Sequence, residues 1–503
     1  MVRLQTFLYR TFYRFQNIAF VYILLLAITC PYQDIRWAGA ISLGGAFLTN
    51  RLLHIHKSRI GKWLDRVTVK GDRIFLGAQI ISLLTMLLFA WFLRVENSWD
   101  YGQIIDSAYS WVNNGTIHNL AYYARYSNNQ LILLILSLLF EIIRVFSPNA
   151  SIELCKAVSV VVNCLVIQGA IFFTYSTAKY CFSKKQAFIT GMLSLLCSPL
   201  YLYSSIMYTD TLGLLPLSLT LYFYVRFLKE DRLKRWLFAL ESVFWGVLGY
   251  YLKATIGIVL IAIVIDFVLR NFKESFVKMR HNIGLFAIIF GLTFFAENIL
   301  ITNILQNFTG ITEQLYEENR FPPYHWIMMA LNKTGGYNQE DVEFSKSFST
   351  IEERKAAEIT EIGQRLSERG VSGTLSHIFY TKWRRTWTYS TCAADDYICR
   401  KPINENILHQ FFTADGKFYL IYILYAHTFW LLLLFNICKS AKQKKFEKTF
   451  VFHLSLFGLL AFLSFWECNP RYLVVFLPVL ILLEADGVTA IYSEDIGGIV
   501  PYV

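Results

Sequence analysis

The chain has 503 residues, of which 55% are hydrophobic and 17% are charged, and its formal net charge is +11. A soluble domain usually has about a quarter charged residues, whereas apolar runs long enough to cross a bilayer recur along this sequence. The composition therefore excludes an ordinary soluble enzyme. The positive charge does not indicate a nucleic-acid partner, because Lys and Arg concentrate in short loops between the apolar runs.

Twelve apolar segments are predicted to cross the membrane. The basic loops between them should all be cytoplasmic under the positive-inside rule; they are 51–73, 179–185, 229–235, 270–280 and 439–448. We therefore expect an all-α polytopic membrane protein of about 12 transmembrane helices, with both termini inside. The predicted spans are 16–32, 37–53, 74–94, 154–176, 186–205, 211–228, 236–251, 254–270, 282–301, 417–437, 449–466 and 472–488.

The apolar stretch 129–146 decides this topology. The basic loops all fall on one side of the membrane only if exactly one of two stretches crosses it, either 129–146 or 154–176. Because 129–146 contains Glu141 and Arg144 and follows a polar segment, we interpret it as an interfacial helix. The predicted domains are a two-span N-terminal addition with its basic loop (1–73), a transmembrane core (74–301) with the first outer loop (95–153), a large extracytoplasmic loop (302–416), and C-terminal spans with a short tail (417–503).

Carboxylates follow two of the predicted spans on the outer side. Asp100 comes shortly after 74–94, with Asp106 six residues further on, and Asp210 lies in the turn before 211–228. A carboxylate at a membrane exit suits a general base that takes a proton from a hydroxyl group. The alternative is a solvated acid without a role or, for Asp210, a helix N-cap.

Cations on the same predicted face could hold a phosphate group. Lys253 interrupts apolar sequence at an outer turn, and ionisable residues at membrane depth usually have a function; snorkelling is the alternative. Arg471 lies in the last outer turn, where it could instead pair with Glu467.

Aromatic residues surround Arg125 in the first outer loop, where Tyr126 and Asn129 are further candidates. This segment could grip a sugar and a phosphate, or it could be an interfacial aromatic belt.

The second large loop has two segments of mixed aromatic and polar character. The first contains His325 and Trp326 beside two prolines and leads to Asp341. The second, Lys-Trp-Arg-Arg-Thr-Trp, contains Arg384 and Arg385 and is typical of a phosphate and carbohydrate site, or of a surface helix that touches anionic headgroups. Cys392 and Cys399 are the one plausible disulfide pair, provided that the loop faces an oxidising compartment.

The sequence has no zinc-type His/Cys spacing and no nucleophilic Ser/His elbow motif. Paired outer acids could bind a divalent cation, magnesium or manganese, although no ligand set is specified.

The order of these motifs resembles that of the GT-C superfamily of membrane glycosyltransferases. These enzymes use sugars carried on polyprenyl phosphates and include protein mannosyltransferase-like and aminoarabinose transferase-like members; the local sequence is most similar to an uncharacterised bacterial branch. Asp100 departs from the family pattern because Tyr101, not a second acid, follows it. The motifs are Tyr122-Tyr-x-Arg125-Tyr-x-Asn128-Asn129, Tyr208-Thr-Asp210, Pro322 to Met329, Gly335 to Asp341 and Pro470-Arg-Tyr472.

The resemblance implies an inverting transfer at the extracytoplasmic face of a bacterial plasma membrane. Asp100 would deprotonate an acceptor hydroxyl of a surface glycan, wall polymer or protein, which would expel polyprenyl phosphate from the sugar. The alternatives are a lipid-linked oligosaccharide ligase or polymerase, and a flippase or transporter of lipid-linked sugars. The cations expected at the leaving phosphate are Arg125, Lys253, Arg384, Arg385 and Arg471; Asp210 and His325 would position substrate or a metal, and Asp106, Tyr126, Asn129, Trp326 and Asp341 are further candidates.

Overall fold

A computed structural model of the chain describes residues 2–31, 36–230, 233–442 and 446–493. Within these ranges the regular structure is helical, and a single isolated β-bridge joins Val95 to Pro402. The chain is an all-α polytopic integral membrane protein. The predicted C-terminal tail lies outside the described residues from 494 onwards, as do parts of three predicted loops, at 32–35, 231–232 and 443–445.

The helices of the first 310 residues cover the predicted N-terminal addition and the predicted transmembrane core. They are α1 (Val2–Thr29), α2 (Arg36–Ile55), α3 (Lys57–Thr68), α4 (Gly71–Phe92), α5 (Trp99–Asn114), α6 (Leu120–Arg125), α7 (Gln130–Phe146), α8 (Ile152–Cys181), α9 (Lys184–Leu196), α10 (Ser198–Leu202), α11 (Thr209–Leu212), α12 (Leu214–Lys229), α13 (Lys234–Leu252), α14 (Gly257–Asn271) and α15 (Phe276–Thr309).

The second large loop is helical as well, and three long helices follow it. They are α16 (Glu313–Asn319), α17 (Pro323–Ala330), α18 (Gln339–Lys346), α19 (Ile351–Ser376), α20 (Trp383–Trp387), α21 (Ala394–Ile398), α22 (Ile407–Phe412), α23 (Tyr419–Lys442), α24 (Phe446–Phe465) and α25 (Leu477–Ser493). Short 3-10 turns occur at Ser127–Asn129, Tyr203–Ser205, Ala254–Ile256 and Pro470–Phe476, and a π-helical turn at His377–Lys382.

A helix or a bent pair of helices stands at each of the twelve positions predicted to span the membrane. Within the described part of the chain, 10 helical segments are long and apolar enough to cross, or 11 if the pair α9 and α10, bent by 49°, counts as one span. This number differs from the predicted twelve because α2 and α13 are less apolar and because Ser127–Phe146 qualifies by length and composition.

Contacts between α4 and α8 decide whether α7 crosses. Asp72 near the start of α4 forms an ion pair of 2.8 Å with Lys179 near the end of α8. In the middle of the two helices, Gln79 donates to the carbonyl of Gln168 at 2.7 Å. The helices are therefore antiparallel neighbours, so the chain between them leaves and returns at the same face. A single crossing by α7 would not allow this, which agrees with the prediction of a helix that does not span.

The α7 helix lies beside α5, where Arg144 donates to the carbonyl of Val112. Its outer side exposes Ile142, Val145 and Phe146, whose exposed fractions are 57%, 75% and 85%. This apolar side has the composition expected of a helix that touches lipid along the membrane surface.

A buried arginine organises the second large loop. Arg354 of α19 is 1% exposed and donates to four main-chain carbonyls, those of Glu318, Arg320, Ser345 and Phe348. Because a buried guanidinium is costly unless its donors are satisfied, these bonds fix α16, the segment that leads into α17, and α18 against α19. The loop is thus a folded cap and holds Trp326 in place.

Candidate functional site

Three charged side chains from three separate turns meet at the face opposite the basic loops. The Nζ atom of Lys253 lies 2.7 Å from Oδ1 of Asp210, and Nε of Arg471 lies 3.1 Å from Oδ2. The exposed fractions of the three side chains are 12%, 2% and 9%. Breaking a buried ion pair leaves an uncompensated charge at a cost of several kcal/mol. The contact therefore explains how these ionisable groups are tolerated at the ends of apolar helices.

Local backbone structure brings these turns together. The α13 helix ends at Leu252. Lys253 follows in an extended conformation, and the 3-10 turn Ala254–Ile256 comes next. Asn469 accepts a bond from the N–H of Arg471 and so begins the next 3-10 turn. A Cβ atom on Gly213 would lie 2.9 Å from Cγ2 of Val475, so α11 packs directly on that turn. Asp210 is thereby held within reach of both cations.

Asp100 lies next to this cluster and accepts two phenol hydroxyls. Tyr122 donates to Oδ1 at 2.7 Å and Tyr208 donates to Oδ2 at 3.2 Å. Asn129 donates to the Tyr122 hydroxyl at 2.6 Å and has its side-chain oxygen 3.3 Å from that of Tyr208. A carboxylate offers about four acceptor positions. Asp100, which is only partly buried, can therefore accept a further hydroxyl.

Aromatic rings join the two carboxylates. The guanidinium of Arg471 lies 4.9 Å from the ring centroid of Tyr208, 5.3 Å from that of Trp99 and 4.7 Å from that of Tyr397. Trp99, directly before Asp100, has a φ of 47°, which is rare for a residue with a side chain. Strained backbone of this kind clusters at functional sites, and here it directs the first turn of α5 towards the tyrosines.

A second group of aromatic rings borders the same site. Trp326 lies 6.2 Å from Tyr126 and stacks at 6.1 Å on Trp466. Burial raises the pKa of Tyr126 and of Tyr337, and the negative charges of Asp100 and Glu467 raise it further. Because such an effect needs proximity, these rings and both acids surround one region. The structure thus brings together the predicted residues Tyr126, Trp326, Asn129 and Asp100.

Glu467 is buried in the turn before Arg471 and accepts a bond of 2.8 Å from the hydroxyl of Tyr472. Burial raises the pKa of this carboxyl. The sequence left open a pairing of Arg471 with Glu467. In the structure Arg471 makes its ion pair with Asp210 instead.

His325, which precedes Trp326 in the sequence, lies in a buried chain of hydrogen bonds. Its Nδ1 is 2.7 Å from the hydroxyl of Ser345, which donates to Glu358 at 2.7 Å. Its ring stacks on Phe321 at 4.0 Å. Burial lowers the pKa of His325 to about 3 and raises that of Glu358 to about 7. His325 is therefore neutral near pH 7 and is held by the cap.

Arg125 stands at the edge of this cap. It donates to Asn319 at 3.2 Å and lies 5.4 Å from the ring centroid of Phe321. Arg385 packs against the main chain of Gly336, where an added Cβ atom would lie 2.5 Å from its Cζ. Both arginines thus border the loops that frame the site.

Three predicted site residues are engaged elsewhere. Arg384 donates to the carbonyls of Cys30 and Pro31, at 2.9 and 3.1 Å, and so caps the end of α1. Asp341 is buried and pairs with Arg365 at 2.6 Å. Asp106 is exposed and accepts a bond from Asn97. These contacts give the three residues structural partners outside the Asp100 and Asp210 clusters.

The suggested disulfide is absent: Cys392 and Cys399 are both free. Cys392 is buried and Cys399 is exposed, so the two thiols lie in different surroundings.

The site also contains four aromatic side chains that the sequence did not identify as candidates. They are the hydroxyls of Tyr122 and Tyr208 and the rings of Trp99 and Tyr397. A signal was present, since an aromatic residue stands beside or two positions before each site acid in the sequence. Only the fold shows which of the many aromatic residues face an acid.

The carboxylates of the site, Asp100 and Asp210, already have partners within the protein. Within the described residues, no three His, Cys, Asp or Glu side chains come together as a possible metal site. Asp210 already neutralises two cations, and Asp100 accepts two phenols. Because Mg²⁺ commonly binds through one or two carboxylates together with substrate phosphates, the predicted cation stays a prediction.

No curated protein matches this sequence. Among solved structures, ArnT from Cupriavidus metallidurans bound to undecaprenyl phosphate matches with 13% sequence identity and a TM-score of 0.32, over 83% of this chain and 77% of that chain. A likeness this distant assigns no activity. A family model covers nearly the whole described chain, from residue 37 to residue 490. The chain belongs to the family described as conserved hypothetical integral membrane proteins.

Proposed function

We propose that this protein is a membrane glycosyltransferase of the GT-C type. It moves a sugar from a polyprenyl-phosphate donor to an acceptor hydroxyl, with inversion, at the extracytoplasmic face of a bacterial plasma membrane. The observation that carries the proposal is the position of Asp100, a partly exposed carboxylate held by two tyrosines beside a buried cluster of cations. The order of sequence motifs supports it.

Asp100 acts as the general base. Tyr122 and Tyr208 occupy one lone pair on each oxygen and fix the carboxylate plane, which leaves acceptor positions for the incoming hydroxyl. The acceptor O–H proton passes to Asp100 while the acceptor oxygen bonds to the anomeric carbon. The bond from that carbon to the phosphate oxygen breaks, and its electron pair remains on the polyprenyl phosphate.

Lys253 and Arg471 receive the charge that develops on this phosphate. Both are fixed by Asp210 before substrate arrives, so no reorganisation is needed as the charge forms. Burial lowers the pKa of Lys253, and a nearby phosphate favours its charged form. Arg385 and Arg125 border the same region and would contact the sugar or the phosphate. Trp326 and Tyr126 offer aromatic faces for the sugar.

The site stands at one end of the helix bundle, which separates this proposal from a transporter. Transporters place charged substrate sites near the bilayer midplane. Here all four charged residues of the site lie in the segments that follow or connect long helices; they are Asp100, Asp210, Lys253 and Arg471.

The test is mass spectrometry of lipid-linked sugars and surface glycans in cells with and without the protein. Loss of the protein should remove one sugar from a surface glycan and cause its lipid-linked donor to accumulate in the outer leaflet. Wild-type protein and a Glu352→Gln control, which changes an exposed acid of α19 whose partner Lys355 is also exposed, should restore the sugar. Asp100→Asn should not restore it, although the protein is present at the same level in the membrane.

Full restoration by Asp100→Asn would overturn the base assignment. Accumulation of the donor in the inner leaflet alone would replace the transferase with a flippase. Accumulation of a whole lipid-linked oligosaccharide would instead identify a ligase or polymerase.

A further inference from the structure

A cavity lies at the end of the bundle opposite the Asp100 cluster. It has a volume of about 690 Å³ and lies between α1 and the end of α23. None of its lining residues belongs to the proposed active site. They are Arg10, Tyr13, Arg14, Asn17, Ile18, Val21, Tyr22, Leu25, Ala441 and Lys442.

The wall formed by α1 changes from basic to apolar along one side of the helix. Arg10 and Arg14 are followed by Ile18, Val21 and Leu25, at spacings of three or four residues that place them on a single face. At 1.5 Å per residue this face is about 22 Å long. Ile18 and Leu25 are 68% and 52% exposed. The cavity therefore has a cationic end and an apolar channel, the shape of an amphiphile.

No acid among the described residues that line the cavity supplies a counter-charge to its cationic end. Arg10, Arg14 and Lys442 form no ion pair with any residue that the structure describes, and no acid lines the cavity. The acids behind α1 are already engaged: Asp266 pairs with Arg270 at 2.6 Å, and Asp486 accepts a bond from Ser440 at 2.7 Å. Three cations thus face one space whose described lining residues include no acid.

The opposite side of α1 is fixed in the bundle. Gln16 bonds to the ring of buried His453 at 2.8 Å, and Gln5 donates to the carbonyl of Leu269 at 2.7 Å. At the edge of the cavity, Asn17 donates to the carbonyl of Cys438 at 3.4 Å. These contacts hold α1 at a set distance from the end of α23, where small Ala441 leaves the space open.

We propose that this cavity binds one anionic phospholipid from the leaflet at the basic face. Its phosphate lies among Arg10, Arg14 and Lys442, and an acyl chain runs along Ile18, Val21 and Leu25. The positive-inside rule makes this the cytoplasmic leaflet, and basic pockets between helices on that side are suited to anionic headgroups. The proposal is independent of the proposed glycosyltransferase activity and gives the N-terminal helix a role as a lipid site.

The test is native mass spectrometry of the full chain, released from bilayer discs that contain equal amounts of dioleoyl phosphatidylglycerol and dioleoyl phosphatidylcholine. Wild-type protein should retain one phosphatidylglycerol molecule. Arg10→Gln with Arg14→Gln should reduce this retention about twenty-five-fold, at roughly fivefold for each basic residue. Arg51→Gln with Arg59→Gln removes two exposed charges on the same face outside the cavity and should leave retention unchanged.

A second pair of variants leaves the charge unaltered. Val21→Trp fills the apolar channel and should also abolish retention, whereas Leu48→Trp, at an exposed position of α2, should not. Equal retention of the two lipids by the wild type would overturn the proposal, as would equal losses in the cavity and control variants. A protein dimer that forms instead of the lipid complex would show that a second copy of the chain covers this face.

Discussion

The ammonium nitrogen of Lys253 lies 2.7 Å from a carboxylate oxygen of Asp210, and both side chains are largely buried. Each is unfavourable alone at the end of an apolar helix, and together with Arg471 they form a compact charged unit. This unit lies beside the carboxylate of Asp100, since the ring of Tyr208 contacts Arg471 while its hydroxyl binds Asp100. A change in one turn should therefore affect the others.

Asp210→Asn should destabilise the fold, because it leaves Lys253 and Arg471 buried without their counter-charge. We expect a loss of about 3–5 kcal/mol in the free energy of unfolding, measured by denaturant unfolding in detergent. Adding Lys253→Met should recover part of this loss, with a coupling of roughly 0.5–3 kcal/mol. Glu274→Gln, which breaks an exposed pair with Lys278, should cost at most about 1 kcal/mol. If Asp210→Asn and Glu274→Gln lowered the free energy of unfolding equally, the stabilising role of the buried ion pair would be contradicted.

Tyr122→Phe and Tyr208→Phe should each lower kcat by about tenfold or more. Each removes a hydroxyl that bonds to Asp100, and hydrogen bonds to charged groups contribute about 1.5–3 kcal/mol. The measurement is transfer from a polyprenyl-phosphate sugar by purified protein. The control is Tyr109→Phe in α5, the helix that carries Asp100. It removes a hydroxyl that bonds to the carbonyl of Ala150 instead, and its turnover should match the wild type. Unchanged turnover in both Asp100 partners would show that the tyrosines do not orient the base.

Glu358→Gln should change how stability depends on pH. In the folded protein the pKa of Glu358 is raised to about 7, so between pH 4.5 and 7 the native state holds a proton that the unfolded state has lost. Stability from this group is thus present at low pH and is lost as pH rises, by about 3 kcal/mol in total. The pKa of His325 is lowered to about 3, so its contribution rises with pH between 3 and 6.5.

The two contributions oppose each other between pH 4.5 and 6.5, and above 6.5 only the loss from Glu358 remains. The free energy of unfolding of Glu358→Gln, minus that of the wild type, should therefore grow steadily from pH 4.5 to 7. Denaturant unfolding at several pH values measures this difference, and exposed Glu352→Gln is the control. A difference that does not vary with pH would contradict a buried, protonated Glu358.

Gly336→Ala should lower the rate of sugar transfer, because it displaces Arg385. The added Cβ atom would lie 2.5 Å from Cζ of that arginine, so the guanidinium must move, and small displacements in a site can cost tenfold or more in rate. Gly363→Ala in α19 meets no atom within 4 Å. It should keep full turnover and stabilise the helix by up to about 1 kcal/mol. Full turnover in Gly336→Ala would remove Arg385 from the site.

Hydropathy and charge in the sequence predicted the twelve helical positions and the return of the chain around α7, which the Asp72–Lys179 pair confirms. The same pattern identified Asp100, Asp210, Lys253 and Arg471 as unusual charges. It could not show that Arg384 caps α1 or that Asp341 pairs with Arg365, nor that Cys392 and Cys399 stay apart as free thiols.

The sequence by itself determined which segments are apolar enough to leave water and which loops remain at one face. Each residue contributes to that transfer free energy through its own side chain, so the sum can be read along the chain. Only the tertiary structure decided that Asp210 faces Lys253 and Arg471, and that two tyrosines from different loops hold Asp100. Those contacts join residues far apart in sequence, and they depend on how the helices pack, which no local pattern encodes.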